Sequence, residues 1–175
     1  KKQKAVTVRM AINVSVKQLN DREFVGCLRK AMEKYQIPPE MLEVEITENV
    51  QLEENLEIGE RLKAISDMGI SIAVDDFGTG YSSLYYLKNL PIDRIKIAKQ
   101  FVDNIENDAY DAIIVKTVIE IAKARDIKVI AEGVETREQW ECLKTLGCDE
   151  IKGYHIARQI PQEEVEKAWL YERKE

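Results

Sequence analysis

Histidine is almost missing from this sequence: His155 is the only one in 175 residues. No serine–histidine–aspartate constellation can be assembled from this chain alone. We read His155, placed on the last strand, as a partly buried polar residue rather than a catalyst. Cysteine is sparse as well. Cys27, Cys142 and Cys148 lie at no metal-ligand spacing, and free thiols in a reducing cytosol are the expectation. Positive charge is not in excess. The net charge of −6 argues against non-specific binding to DNA or to an anionic membrane, while a small anion held through metal ions stays open. No apolar run approaches a membrane span, and no secretory leader is read at the start. Position 1 is Lys, so a fragment or a trimmed product is expected. Internal repeats, low-complexity tracts and linkers are also lacking.

What is present fits one soluble globular domain. Hydrophobic residues make up 45% and charged residues 33%, and the length allows a sizeable core. Strand-like runs are read at Ala5 to Ser15, Met41 to Thr47, Ile70 to Asp76, Arg94 to Ile97, Lys128 to Ala131 and Glu150 to Ala157. Between them lie helical patterns. Phe24, Leu28, Ala31, Met32 and Tyr35 recur at helical spacing behind a cap at Asn20 or Asp21. Leu52 to Met68 carries Ile58, Leu62 and Ile65 on one face and stops at Gly69. Leu84 and Leu87 sit in a short helix closed by Pro91. Ala109 to Arg125 shows Ile113, Thr117 and Ile121 along one edge of its apolar stripe. Thr136 with Gln139 forms a capping box for a helix that ends at Gly147. Pro161 opens a final helix bearing Trp169, which, like Trp140, reads as a core or interface anchor. Regular alternation of this kind implies right-handed parallel βαβ units.

The most informative stretch runs from Ser71 to Ser83. Ile72 to Val74 is a short β-branched run that reads as a buried strand. Asp75 and Asp76 end it, and Gly78 and Gly80 let the chain turn. Adjacent side chains on a strand point to opposite faces, so both carboxylates reach one site only where the strand is ending. A buried acidic pair is costly without a cation nearby, and a divalent ion with oxygen ligands is the natural candidate. Gly78 and Gly80 are a weak phosphate-loop signal, with no Walker-type lysine after them.

Other strands end in the same way. Asn13, Glu45, Asp75 with Asp76, Lys96, Glu132 and Lys152 each stand at or near a carboxyl end. In a (β/α) barrel those ends converge on one face, whereas a doubly wound sheet gathers ligands only at its switch point. The converging positions favour the barrel. Asparagine plus four carboxylates is an oxygen-rich set suited to Mg²⁺ or Mn²⁺. A pair of such ions could clamp a phosphodiester and activate a water, and Lys96 could orient that water or stabilise developing charge.

At these residues the chain resembles the EAL domain family, the phosphodiesterases that hydrolyse cyclic di-GMP. The matching motifs are Asn13-Val14-Ser15, Glu45-Ile46-Thr47-Glu48, Asp75-Asp76-Phe77-Gly78-Thr79-Gly80-Tyr81-Ser82-Ser83, Lys96-Ile97, Glu132-Gly133-Val134-Glu135-Thr136 and Gly153-Tyr154. They stand in family order over nearly the whole chain. The resemblance implies a TIM-barrel-like fold, of which about six strands fall in this chain. It implies that Asn13, Glu45, Asp75, Asp76 and Glu132 are metal ligands for Mg²⁺ or Mn²⁺ and that Lys96 works beside the hydrolytic water. It further implies that Glu48 anchors the loop from Phe77 to Ser83 and that Glu135 supports Glu132 or the nucleotide. A diguanylate-cyclase-type or sensor domain in a longer parent chain is the implied partner.

Three departures from the family pattern stand out. The name-giving Glu-Ala-Leu, whose Glu is a metal ligand in the family, is not in this chain. Roughly the first quarter of the family domain, with two strands and their helices, has no counterpart. Ala98 stands where the family usually has Asp, and Lys152 where it usually has Gln. An ammonium near the site would repel a divalent ion, unless Lys152 pairs with Asp75 or Glu132 and stands in for a cation. Two functions follow: a metal-dependent phosphodiesterase, impaired in this chain, or a degenerate EAL domain that binds nucleotide or a protein partner. An incomplete barrel also leaves open edges, which leads to an expectation of self-association near Ala5 to Ser15.

Overall fold

The computed structural model describes residues 9–48, 56–79 and 84–165. Six parallel strands form one sheet in strict chain order. They are β1 (Met10–Asn13), β2 (Leu42–Thr47), β3 (Ser71–Phe77), β4 (Arg94–Ile97), β5 (Lys128–Glu132) and β6 (Glu150–Lys152). The helices are α1 (Val16–Asn20), α2 (Phe24–Tyr35), α3 (Leu56–Asp67), α4 (Leu84–Asn89), α5 (Ala109–Lys123), α6 (Arg137–Leu146) and α7 (Gln162–Val165). Sequential parallel pairing with a crossover after each strand is the construction of a (β/α) barrel. Among the described residues β1 and β6 are the two edges of the sheet, which forms an incomplete barrel.

The two faces of the sheet differ in chemistry. Val44, Ile46, Ile72, Ile95, Ile97 and Val129 are buried in the main core with Ile58, Leu62 and Ile65 of α3 and Val115 and Ile119 of α5. Truncating one of these to Ala typically costs about 2–5 kcal/mol. The opposite, concave face bounds a groove of about 470 Å³ lined by charged residues, among them Glu43, Glu45, Arg94, Lys96, Glu150 and Lys152. TIM-barrel interiors are commonly packed with Val, Ile and Leu, and this one carries two layers of ions. In the lower layer Arg94 reaches Glu43 on β2 at 2.9 Å and Glu150 on β6 at 2.8 Å. Burial pushes the Glu43 carboxyl up, and the Arg94 and Arg9 guanidinium groups oppose that shift.

Several elements differ from the sequence reading. The first strand is described only from Met10, residues 1–8 lying outside the described residues. Val16–Asn20 forms a helix of its own, started by a capping box between Ser15 and Gln18. α2 begins behind Glu23 with no side-chain cap; Asp21 Oδ1 instead accepts from the Glu23 amide at 2.9 Å. α3 is described from Leu56, with residues 49–55 outside. Ile113 on α5 is 61% exposed; the buried stripe is Val115, Val118, Ile119 and Ala122, one position round the helix. The last strand stops at Lys152, because the chain turns there onto Val134: the amide of His155 donates to Val134 O at 3.0 Å. His155 therefore lies beyond the strand, with its ring centroid 5.9 Å from that of Trp140. Trp169, Ser82 and Ser83 lie outside the described residues.

Candidate active site

Lys96 is the centre of the upper layer. It is 3% exposed and occupies the middle of β4, where Ile95 and Ile97 face the helices and Lys96 faces inward by alternation. Its Nζ lies 2.8 Å from Glu45 Oε1 on β2, 2.9 Å from Asp75 Oδ1 on β3 and 3.0 Å from Glu132 Oε1 on β5. An ammonium has three donors, and all three are engaged. Burial by itself would push the lysine pKa down; hydrogen bonds to Asp75, Glu45 and Glu132 outweigh it and hold the group above the ordinary lysine value. Lys96 is thus a permanent cation tying three strands together.

Asp76 reaches the same face through an irregularity. The pairing of β3 with β4 shifts register between Val74 and Phe77, and Asp76 adopts φ 53°. That bulge breaks the alternation, so successive aspartates serve one face. The Asp76 amide donates to Asp75 Oδ1 at 3.1 Å. Its carboxyl pKa is raised by burial and then by the neighbouring charges of Asp75 and Glu132, against Lys96. Asn13 ends β1 directly beside Glu45 in register, and the Val14 amide donates to Glu45 O at 2.8 Å.

Glu48 and Glu135 take separate positions. Glu48 Oε2 accepts from the Gly78 amide at 2.8 Å, which fastens the start of the loop after β3. Gly78 has φ 96° and packs on the Phe101 ring, which an added Cβ would meet at 2.6 Å. The rest of that loop, residues 80–83, lies outside the described residues. Glu135 does not bond Glu132. Its Oε1 accepts from Lys99 Nζ, and Lys99 also pairs with Asp103 at 3.0 Å.

Sequence reasoning missed Lys99 and the lower layer of Glu43, Arg94 and Glu150. A signal was available. Each lower residue precedes an upper one by two positions, as in Glu43-x-Glu45, Arg94-x-Lys96 and Glu150-x-Lys152, so strand geometry puts each pair on one face. Lys152 stands opposite Glu132 in register and donates to its Oε1 at 3.0 Å. Among the described residues no three Asp, Glu, His or Cys side chains close on a common metal position; the cation that Glu45, Asp75 and Glu132 share is Lys96.

A parallel α/β sheet paired in chain order, with Glu45, Asp75, Lys96 and Glu132 gathered on its inner face, has the construction of a (β/α) barrel, here incomplete. The chain belongs to the EAL domain family: the family model matches residues 1–159. It is 36% identical over 156 residues to the bifunctional diguanylate cyclase/cyclic di-GMP phosphodiesterase MucR of Pseudomonas aeruginosa, covering 89% of this chain and 23% of that protein. The phosphodiesterase structure of MucR in complex with c-di-GMP superposes with a TM-score of 0.84 at 36% identity, over 90% of this chain and 64% of that one. Klebsiella pneumoniae BlrP1, solved with manganese and cyclic di-GMP, gives 0.78 at 30% identity, over 85% of this chain and 38% of that one. The chain spans about a fifth to a quarter of the length of the first curated relatives it matches. Among the described residues no helix is long and apolar enough to cross a membrane.

Proposed function

We propose that this chain is the greater part of a phosphodiesterase domain whose acidic face hydrolyses one ester bond of cyclic di-GMP to give linear pGpG. The observation that carries this reading is the gathering of Glu45, Asp75 and Glu132 around one buried ammonium at three strand ends. Asn13 and Asp76 complete a set of hard oxygen donors suited to Mg²⁺ or Mn²⁺. Each of the three carboxylates engages Lys96 through one oxygen. The oxygens that meet Lys96 are Glu45 Oε1, Asp75 Oδ1 and Glu132 Oε1, and the second oxygen of each carboxylate is a further hard donor for a divalent ion. A divalent ion there supplies Lewis acidity at phosphate oxygen and a water of lowered pKa.

The chain's own groups do the positioning. Lys96 holds the carboxylates at fixed separations. A carboxylate that turns away from it frees one N–H for the attacking water or for the developing phosphate charge. Glu48 keeps the loop at Gly78 in place. Glu135 acts through Lys99 on the turn that carries Glu132. The description of MucR as a bifunctional diguanylate cyclase and cyclic di-GMP phosphodiesterase supports a diguanylate-cyclase-type domain beside this one in a longer parent chain.

A second reading, a degenerate EAL domain that binds nucleotide or protein without hydrolysis, is favoured by the ammonium of Lys152 on Glu132 and by Ala98. The test is an assay of pGpG release with cyclic di-GMP and Mn²⁺. We expect very slow or no turnover from the 175-residue chain, because its ligand set lacks the upstream Glu of the family. A polypeptide extended upstream to complete the barrel should turn over, and Asp75→Asn should remove that activity. An inert extended protein would support the degenerate reading. Asp75-dependent turnover by the short chain would show that the essential ligands had been misplaced.

The open edges lead to a further expectation, self-association. Met10 on β1 is 63% exposed, and among the described residues β1 is a sheet edge with a strand on one side alone, the kind of edge that pairs with another chain. Light scattering at high micromolar concentration should report a dimer or larger species; a clean monomer would count against it.

A further inference from the structure

We propose that Lys152 is a resident counter-ion for Glu132, so that the acidic face takes up one divalent cation rather than two. The inference rests on the metal-site reading above. Its starting point is placement. β5 and β6 pair in parallel with Glu132 opposite Lys152, so both side chains stand on the concave face. Lys152 Nζ and Lys96 Nζ each lie 3.0 Å from the same oxygen, Glu132 Oε1. Among the described residues Glu132 is the one carboxylate of the face that carries two ammonium groups.

The backbone behind Lys152 is fixed. Its carbonyl accepts from the Val134 amide at 3.1 Å, and the His155 amide donates to Val134 O at 3.0 Å. Gly153 packs so closely that an added Cβ would lie 2.1 Å from Val134 O. Lys152 therefore leaves the sheet at a set position beside Glu132, although its side chain is 65% exposed.

The charge count gives the consequence. Glu45, Asp75, Asp76 and Glu132 contribute four negative charges, and Lys96 and Lys152 return two positive ones. The remaining two negative charges are balanced by a single divalent ion. A second would leave the face at two positive charges, with repulsion from Lys152 at short range. Two-ion clamps on phosphodiesters need both positions filled; here Lys96 and Lys152 together supply the two positive charges of one of them.

Mn²⁺ binding tests this without reference to turnover. The 175-residue chain, Lys152→Gln, Lys152→Arg and Asp75→Asn are titrated with Mn²⁺, and free aquo-Mn²⁺ is counted by electron paramagnetic resonance. Circular dichroism checks that each variant is folded. The expected result is one Mn²⁺ per chain in the starting protein and in Lys152→Arg. In Lys152→Gln a second ion is expected, or at least about tenfold tighter binding of the first. Asp75→Asn should lose binding. Equal stoichiometry and affinity in the starting protein and Lys152→Gln would overturn the assignment of Lys152 and leave the metal site standing. No Mn²⁺ bound by any of the four would overturn both.

Discussion

Replacing Lys96 by Met is expected to lower the unfolding free energy at pH 7 by about 3–5 kcal/mol, the range for removing one partner from a buried ionic cluster. The side chain is 4% exposed, so water does not replace it. Met fills most of the volume, so the loss is electrostatic rather than a cavity effect. Glu45, Asp75 and Glu132 would be left converging with no cation among them. The sign with pH follows from the raised folded pKa of Lys96. A group raised on folding contributes fully below its unfolded value of 10.5 and loses that contribution only as pH rises through the folded value. Between pH 5 and 9 the starting protein should therefore show no loss from Lys96 itself. In Lys96→Met the deficit should shrink as the pH is lowered, because protonating one carboxylate relieves the repulsion. Urea unfolding at several pH values measures both effects. A deficit below about 1 kcal/mol at pH 7 would show that the cluster contributes little to stability.

Much of this architecture was legible because charge is out of place in a buried strand. Lys96 stands between Ile95 and Ile97, and Glu45 between Val44 and Ile46. Such a residue is tolerated only where the alternate face is polar or paired. The order of the strands followed from their alternation with helices, and the caps at Thr136 and Gly147 were written in single residues. What escaped was set by contacts distant in sequence. Nothing local forces β6 to end at Lys152, since Glu150 to Ala157 has strand-like character throughout; the hydrogen bond from His155 to Val134 ends it. The partner of Glu135 was missed for the same reason, as Lys99 arrives from the turn after β4. The bulge at Asp76 was readable only as a requirement, that two adjacent carboxylates serve one face. The left-handed φ that meets it comes with the register shift against β4.

Gly153→Ala is expected to be the most damaging single-methyl change on this face, at about 3–5 kcal/mol. The requirement for glycine here is spatial. An added Cβ would lie 2.1 Å from Val134 O, 2.4 Å from Val134 N and 2.7 Å from Val134 C. All three are backbone atoms, and Val134 is fully buried, so no side chain can swing aside. Relief requires parting the exit of β6 from the turn after β5. That sacrifices the Val134-to-Lys152 and His155-to-Val134 hydrogen bonds, each worth about 1 kcal/mol net. Residual overpacking adds about 1–3 kcal/mol. Gly133→Ala is the informative comparison. It has φ 76°, and its Cβ would meet Lys99 at Cγ, Cδ and Cβ, at 2.4, 2.7 and 2.8 Å. These atoms belong to a side chain rather than to backbone, so a rotation of Lys99 relieves part of the clash, and backbone strain of about 1–2 kcal/mol adds to what is left. The expected order of stability is starting protein, Gly133→Ala, Gly153→Ala, measured by urea unfolding. Trp140 fluorescence supplies a local readout, since its ring packs near His155 in the displaced segment: Gly153→Ala should alter the native emission and Gly133→Ala should not. A Gly153→Ala protein within about 1 kcal/mol of the starting protein, with unchanged emission, would mean that β6 is held less tightly than its contacts with Val134 require.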